Sequence, residues 1–316
     1  MKSTEKRPNS TFRKRVGLSL LGLGVAIGAV FFARDSLDSS RLRITSPQEL
    51  SAHFDDIGYT SKLLRAGNAQ VPRFVVSGVP KDWAVGLTVD RKKSLFFRAV
   101  LPMVLMVNDE ILTDRTRLLK IRDILSSRSS LDDDELRWLA QLSMRYGLPS
   151  KNASKRPTIR SINTLLRRVD AVPPSLALSQ AAIESAYASS RFAVEGNALF
   201  GQWRYGKGLV PENQRTELGD YRIADFKTPT DSIRAYMQNL NTNAAYRPFR
   251  NLRAAARAKN ETLRGAPLAG GLLAYSEKGQ AYVSLVRSLI ARNGLSAADS
   301  ARLKNHQTTR ITTGPL

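Results

Sequence analysis

Glu184 stands in Ser179-Gln180-Ala181-Ala182-Ile183-Glu184-Ser185-Ala186-Tyr187, a segment whose composition predicts a helix. Helical positions three and four apart share a face, so 177, 181, 184 and 188 line up and read Ala, Ala, Glu, Ala. A lone carboxyl in a stripe of small residues is shielded from water, and desolvation raises its pKa toward the range that suits a general acid. Glu is also an ordinary solvated helix residue, so the segment that follows carries weight. There Gly196-Asn197-Ala198-Leu199-Phe200-Gly201-Gln202-Trp203 brackets an Asn and a Phe with glycines, and Phe200, Trp203 and Tyr205 form an aromatic series. Aromatic faces can stack on the apolar faces of sugar rings, although taken singly such residues more often build cores.

Composition narrows the alternatives. The 316 residues include no cysteine, which removes disulfides, thiol nucleophiles and thiolate metal sites. His53 and His306 fall outside any ligand-like spacing, so neither a metal nor a cofactor is expected and a Ser-His-Asp triad has little to recruit. Carboxylates are left as the main acid-base groups. A net charge of +22 and a pI near 10.6 imply attraction to polyanions, whether nucleic acid, anionic lipid or a cell wall rich in carboxylates and phosphates. The N-terminus chooses among them. Lys2, Lys6, Arg7, Arg13, Lys14 and Arg15 precede an uncharged run at 16–33, which is at the short end of a membrane span. The basic flank predicts a cytoplasmic start with the rest exported, which sets a nucleic-acid partner aside, as does the lack of Walker, zinc-finger and ribonucleoprotein signatures. A cleaved signal is the alternative to an anchor, but no convincing small-x-small site precedes Arg34.

The elements that must position these residues are legible in outline. The expected divisions are a basic tail (1–15), an anchor (16–33), a polar linker (34–71) with one short helix near 46–54, a helical region (72–150), a catalytic domain (151–295) and a flexible polar tail (296–316). Pro72 and Pro80 bracket an extended Phe74-Val75-Val76 piece, and Phe96, Val100, Met103, Val107 and Ile111 recur at helical spacing, predicting an amphipathic helix that continues to Leu125. Asp132-Asp133-Asp134-Glu135 places negative charge at the first turn of a helix ending at Tyr146-Gly147; the spacing of an EF-hand calcium loop is absent. Ile159, Ile162, Leu166 and Val169 mark a helix that stops before Pro173-Pro174. Residues 196–226 read as a loop with a short β-hairpin carrying Glu212, Glu217 and Asp220, and Thr228-Pro229-Thr230-Asp231 opens another helix. Further helices are expected over 249–258, 266–275 and 280–293, the last closed by Gly294. The fold class is α+β, mostly α, with a small hairpin lobe.

The Ala-x-Glu-Ser helix, the Asn-x-Leu-Phe-Gly turn and the stretch Tyr275-Ser276-Glu277-x-Gly279-x-x-Tyr282 together resemble the peptidoglycan β-N-acetylglucosaminidase family, which includes the hydrolase domain of the flagellar rod-assembly protein. Leu199-Phe200-Gly201-Gln202-Trp203, Leu101-Pro102, Asn108-Asp109-Glu110 and Asn239-Leu240-Asn241-Thr242 are similar to its membrane-anchored Bax branch. The resemblance implies a lysozyme-like topology in which a cleft divides a helical lobe from a β lobe. It also implies that the substrate is the glycan strand of peptidoglycan, cut after N-acetylglucosamine. Glu184 would protonate the leaving oxygen. A second carboxylate would come from the hairpin, with Glu217 first and Glu212 and Asp220 behind it, giving inversion; attack by the sugar's own 2-acetamido group would give retention instead. Tyr275 matches the family's tyrosine near the cleft, placed to orient water or the acetamido group, and Asn197, Phe200, Gln202, Trp203 and Tyr205 would bind substrate. The expected setting is a single-pass bacterial inner-membrane protein with its catalytic domain periplasmic or otherwise extracytoplasmic. A lytic transglycosylase cutting after N-acetylmuramic acid is the rival enzyme, and a non-catalytic wall-binding scaffold is the rival of another class.

Overall fold

The computed structural model describes residues 39–148, 157–211, 219–305 and 307–313, so the run expected to form an anchor at 16–33 lies outside it. Among the described residues no helix is long and apolar enough to cross a membrane. Elements are numbered in chain order. The longest is α3 (Val89–Ser126), which starts where the Oγ1 of Thr88 accepts from the Arg91 amide at 3.4 Å and whose 38 residues extend roughly 57 Å. The expected apolar stripe is present but broader, because every side chain from Leu95 to Asn108 except Ala99 is buried. That half of α3 is a core stretch, and α3 as a whole is packed by β3 (Phe74–Val76), α5 (Ile159–Arg168), α6 (Pro174–Glu184) and α8 (Pro229–Thr242).

Both ends of the described chain correct the expected organisation. The one short helix expected near 46–54 is α1 (Pro47–Asp56), but the rest of the supposed linker also forms β1 (Ser39–Ile44), α2 (Ser61–Arg65) and β2 (Gln70–Val71), and residues from the supposed tail form β6 (Arg302–Leu303) and β7 (Thr308–Thr313). β7 is the centre of a parallel sheet of order β1-β7-β3, with Ile311 fully buried between Leu42 and Val76, and β2 pairs in parallel with β6. Phe54 stacks on Phe74 at 4.8 Å, and the hydroxyl of the buried Tyr59 donates to the Arg98 carbonyl at 3.1 Å. These segments look like linker and tail in the sequence because each strand is short and polar on one face, and its partner lies at the other end of the chain.

Several expected helices appear where their caps place them. α4 (Asp133–Arg145) opens on a capping box between Asp132 and Glu135, and α11 (Gln280–Arg292) closes into Gly294 at φ 64°. The helix expected over 266–275 is instead the single turn α10 (Gly265–Leu268) followed by 3-10 turns at Ala269–Gly271 and Leu273–Tyr275. Gly271 explains the break: a Cβ there would lie 2.3 Å from the Cα of Phe249, so this backbone packs directly on α9 (Arg247–Ala258).

The lead into α6 is fixed by buried polar groups. The Asn108 side chain donates to the Val172 carbonyl at 2.8 Å and accepts from the Val172 amide at 3.0 Å, in the manner of a sheet ladder. Asp170, 2% exposed, meets Arg257 at 2.8 Å, Arg115 at 3.5 Å and Arg253 at 3.9 Å. Burial pushes the Asp170 carboxyl up, but the surrounding guanidiniums outweigh it and hold the group below the ordinary carboxylate range. Arg253 is itself buried and also donates to the carbonyls of Asp170 and Ala171 and to Asn241 Oδ1. Glu110 is half exposed and receives a two-pronged contact from Arg234 at 2.9 and 3.0 Å.

Candidate active site

α6 begins without a side-chain cap of its own, since Pro173 holds the N-cap position. Asp299, from the 3-10 segment after α11, takes over that task. Its carboxylate accepts from the Ser175 amide and hydroxyl, each at 2.8 Å, and from the Gly265 amide at 3.0 Å. Gly265 permits this junction, because a Cβ there would stand 2.2 Å from the Ser175 Oγ. From Pro174 to Ala182 every residue of α6 is buried, so the helix is a rod through the core with its last residue, Glu184, partly exposed at the far end.

The stripe expected at 177, 181, 184 and 188 is therefore shorter than the sequence suggests. Ala177 and Ala181 are fully buried behind Glu184, but the helix ends there, and Ala186, Tyr187 and Ala188 turn left-handed at φ 50°, 59° and 60°. Three successive non-glycine residues in that region carry real strain, of roughly 1 kcal/mol or more each. Ser185 holds the turn: its hydroxyl donates to the Ala181 carbonyl at 2.6 Å and accepts from the Ala188 amide at 2.7 Å. Trp83 Nε1 donates to the Ala188 carbonyl at 2.8 Å, and the Tyr187 ring packs edge-on against Phe96 and Phe97.

Around the Glu184 carboxyl stand four tyrosines from separate elements. Tyr282 of α11 donates to Glu184 Oε1 at 2.7 Å and receives Gln180 Nε2 at 3.0 Å, while Tyr236 of α8 donates to Gln180 Oε1 at 2.6 Å. Tyr275 stacks on Tyr282 with centroids 5.3 Å apart and leans on Tyr246 at 5.8 Å, entering the cluster through its ring. Burial raises the Glu184 pKa above the usual carboxylate value, and the Tyr282 hydrogen bond only partly opposes it. Burial, helped by the nearby Glu184 charge, likewise lifts the phenols, with Tyr246 pushed up to about 12. Among the described residues no Lys or Arg is ion-paired with Glu184, and no group of three or more His, Cys, Asp or Glu side chains could hold a metal ion.

The other residues singled out in the sequence divide by environment. Phe200, expected to bind substrate, is 3% exposed and stacks on Tyr236 at 3.8 Å and 6°, so it is a core ring beneath the site. Asn197, at φ 52°, spends its amide on structure: Oδ1 accepts from the Val79 amide, and Nδ2 donates to the carbonyls of Phe226 and Lys227. Gln202 is buried, with its Oε1 unpartnered, and its carbonyl receives the Ala224 amide. Trp203 and Tyr205 are 41% and 48% exposed on β4 (Trp203–Tyr205), which pairs antiparallel with β5 (Tyr221–Ile223), and Trp203 stacks on Tyr221 at 4.3 Å. Glu212 and Glu217 lie outside the described residues; Asp220 is exposed and meets Arg222 at 3.4 Å. Gln180 and Tyr282 were not singled out, although the sequence held a signal for each. Gln180 is four residues before Glu184 on the same helix, and Tyr282 closes the Tyr-Ser-Glu-x-Gly-x-x-Tyr stretch.

Residues 161–295, from α5 to just past α11, match the family model Glucosaminidase, described as mannosyl-glycoprotein endo-beta-N-acetylglucosaminidase. The chain carries a Glucosaminidase-family domain. That domain contains Glu184, Gln180 and all four tyrosines, whereas Asp299 and the β1-β7-β3 sheet lie outside it. The chain is 32% identical over 192 residues to protein Bax of Escherichia coli (strain K12), a match covering 60% of this chain and 66% of Bax. It is also similar to the crystal structure of the catalytic domain of the autolysin Auto from Listeria monocytogenes, with a TM-score of 0.32 and 15% identity, covering 57% of this chain and 96% of that one.

Proposed function

We propose that this protein is a peptidoglycan hydrolase that cuts the glycan strand after N-acetylglucosamine, with Glu184 as the general acid. The observation that carries the reading is Glu184 itself: a partly exposed carboxyl at the end of a buried helix, ion-paired with no Lys or Arg among the described residues and with its pKa raised by burial. The match of residues 161–295 to the Glucosaminidase family supports a glycosidase acting at N-acetylglucosamine. In the reaction the bond from the anomeric carbon to the bridging oxygen breaks, its electron pair passes to that oxygen, and the Glu184 proton completes the leaving hydroxyl. The electron-poor sugar is then met by water, activated by a hairpin carboxylate with Glu217 as first choice, or by its own acetamido oxygen. Tyr275, whose ring leans on Tyr246 and Tyr282, would orient that nucleophile, and the exposed Trp203 and Tyr205 would offer stacking faces to the sugars. The uncharged run at 16–33 would anchor the protein in the inner membrane, with the catalytic domain in the periplasm. Digestion of purified peptidoglycan, reduction of the fragments with borohydride and identification of the reduced sugar tests the reading. The expected product is reduced N-acetylglucosamine; an anhydro-muramic acid terminus would assign a transglycosylase instead.

A further inference from the structure

The hydrogen bond on Glu184 is the last of a series with one sense. The Tyr236 hydroxyl donates to Gln180 Oε1 at 2.6 Å, Gln180 Nε2 donates to the Tyr282 hydroxyl at 3.0 Å, and the Tyr282 hydroxyl donates to Glu184 Oε1 at 2.7 Å. A primary amide has one accepting and one donating end, so the setting of Gln180 fixes the direction of the whole series. Gln180 and Tyr236 are fully buried and Tyr282 is 4% exposed, so water does not compete for these bonds. Gln180 sits one turn before Glu184 on α6, which makes the rod that carries the carboxyl also carry the group that orients it.

We infer that Gln180 and Tyr282 are positioning residues that give the two carboxyl oxygens of Glu184 different tasks: Oε1 is held as an acceptor, and the proton to be transferred sits on Oε2. The inference rests on Glu184 being the acid. When the proton leaves Oε2 for the bridging oxygen, charge develops on the carboxylate, and the Tyr282 donor, already in place, binds that charge more strongly than it bound the neutral acid. Tyr282 therefore makes Glu184 a better acid at the moment of transfer while fixing where its free oxygen points. The titratable groups that face Glu184 among the described residues are Tyr282 of α11, Tyr275 of the turn before it, Tyr236 of α8 and Tyr246 of the turn before α9. The phenols stay neutral through the working range, so the titration of this site belongs to Glu184.

Tyr282→Phe removes one hydroxyl and keeps the ring stacked on Tyr275. The Glu184 pKa, read by carboxyl 13C NMR with the resonance assigned through Glu184→Gln, should rise by about one unit, the size expected for one hydrogen bond to a charged group. The basic limb of the turnover profile on peptidoglycan should rise with it. Gln180→Met, close in shape, should move both in the same direction by less, because Tyr282 keeps its hydroxyl but loses the amide that directs it. An unchanged or lowered Glu184 pKa in folded Tyr282→Phe would overturn the inference, a lowered value meaning that the series runs the other way. If Tyr282→Phe does not fold, Gln180→Met decides on the same criterion. The NMR titration reads Glu184 whether or not the protein cleaves glycan, so failure of the inference and failure of the hydrolase reading give different results.

Discussion

At the scale of residues, Glu184 is balanced between burial, which favours its neutral form, and Tyr282, which favours its charge. Burial wins, and this has a thermodynamic sign. A carboxyl whose folded pKa lies above its unfolded value of about 4.3 costs nothing while both states are protonated, and becomes a growing cost as pH rises through the folded value. Glu184→Gln should therefore match wild type in melting temperature near pH 3.5 and exceed it at pH 7. Calorimetric scans across that range check this, and an offset independent of pH would contradict it. The aromatic residues separate in the same way by environment. Phe200→Ala should cost about 3–5 kcal/mol in urea unfolding, as for a buried aromatic, whereas Trp203→Ala should cost much less, about 1 kcal/mol for its stacking on Tyr221, and weaken glycan binding several-fold. The sequence made Glu184 and Tyr275 visible because their types are chemical and their motif is distinctive. It hid the structural roles of Phe200 and Asn197, because an aromatic ring or an amide reads the same whether it faces a sugar or a backbone. Gln180 was passed over because it is neutral.

At the scale of elements, α6 works as a rod held at both ends. Asp299 supplies the cap that Pro173 cannot, and Ser185 closes the strained turn at the end that carries Glu184. Asp299→Ala should destabilise the protein by about 1–3 kcal/mol, since buried donors at Ser175 and Gly265 lose their acceptor. Chemical denaturation checks this, and wild-type stability would show that the cap is dispensable. Helices such as α3, α4 and α11 were legible because their caps and apolar spacing are local. The 266–275 segment reads as a helix because its pattern is apolar, while the close approach of Gly271 to Phe249 is a tertiary fact. Short parallel strands leave almost no local trace, so β1 and β7 look like linker and tail in the sequence.

At the scale of the whole molecule, the sheet that joins the two ends of the described chain makes the catalytic region larger than the family match. Truncation after residue 295 removes Asp299, β6 and the central strand β7, leaving β1 and β3 without their shared partner. Such a fragment should lose cooperative thermal unfolding; a sharp transition at the wild-type temperature would show the sheet to be an appendage. The +22 charge should make binding to isolated cell walls weaken as salt rises, because long-range attraction is screened within about 10 Å at 0.1 M ionic strength. All of these features converge on one carboxyl, and the most direct test acts there. Release of soluble fragments from peptidoglycan should be measured for wild type and Glu184→Gln, with equal folding confirmed by circular dichroism. Loss of the proposed general acid predicts a fall in turnover of roughly 10²- to 10⁴-fold with wall binding retained. A folded Glu184→Gln protein that releases fragments at close to the wild-type rate would contradict the account.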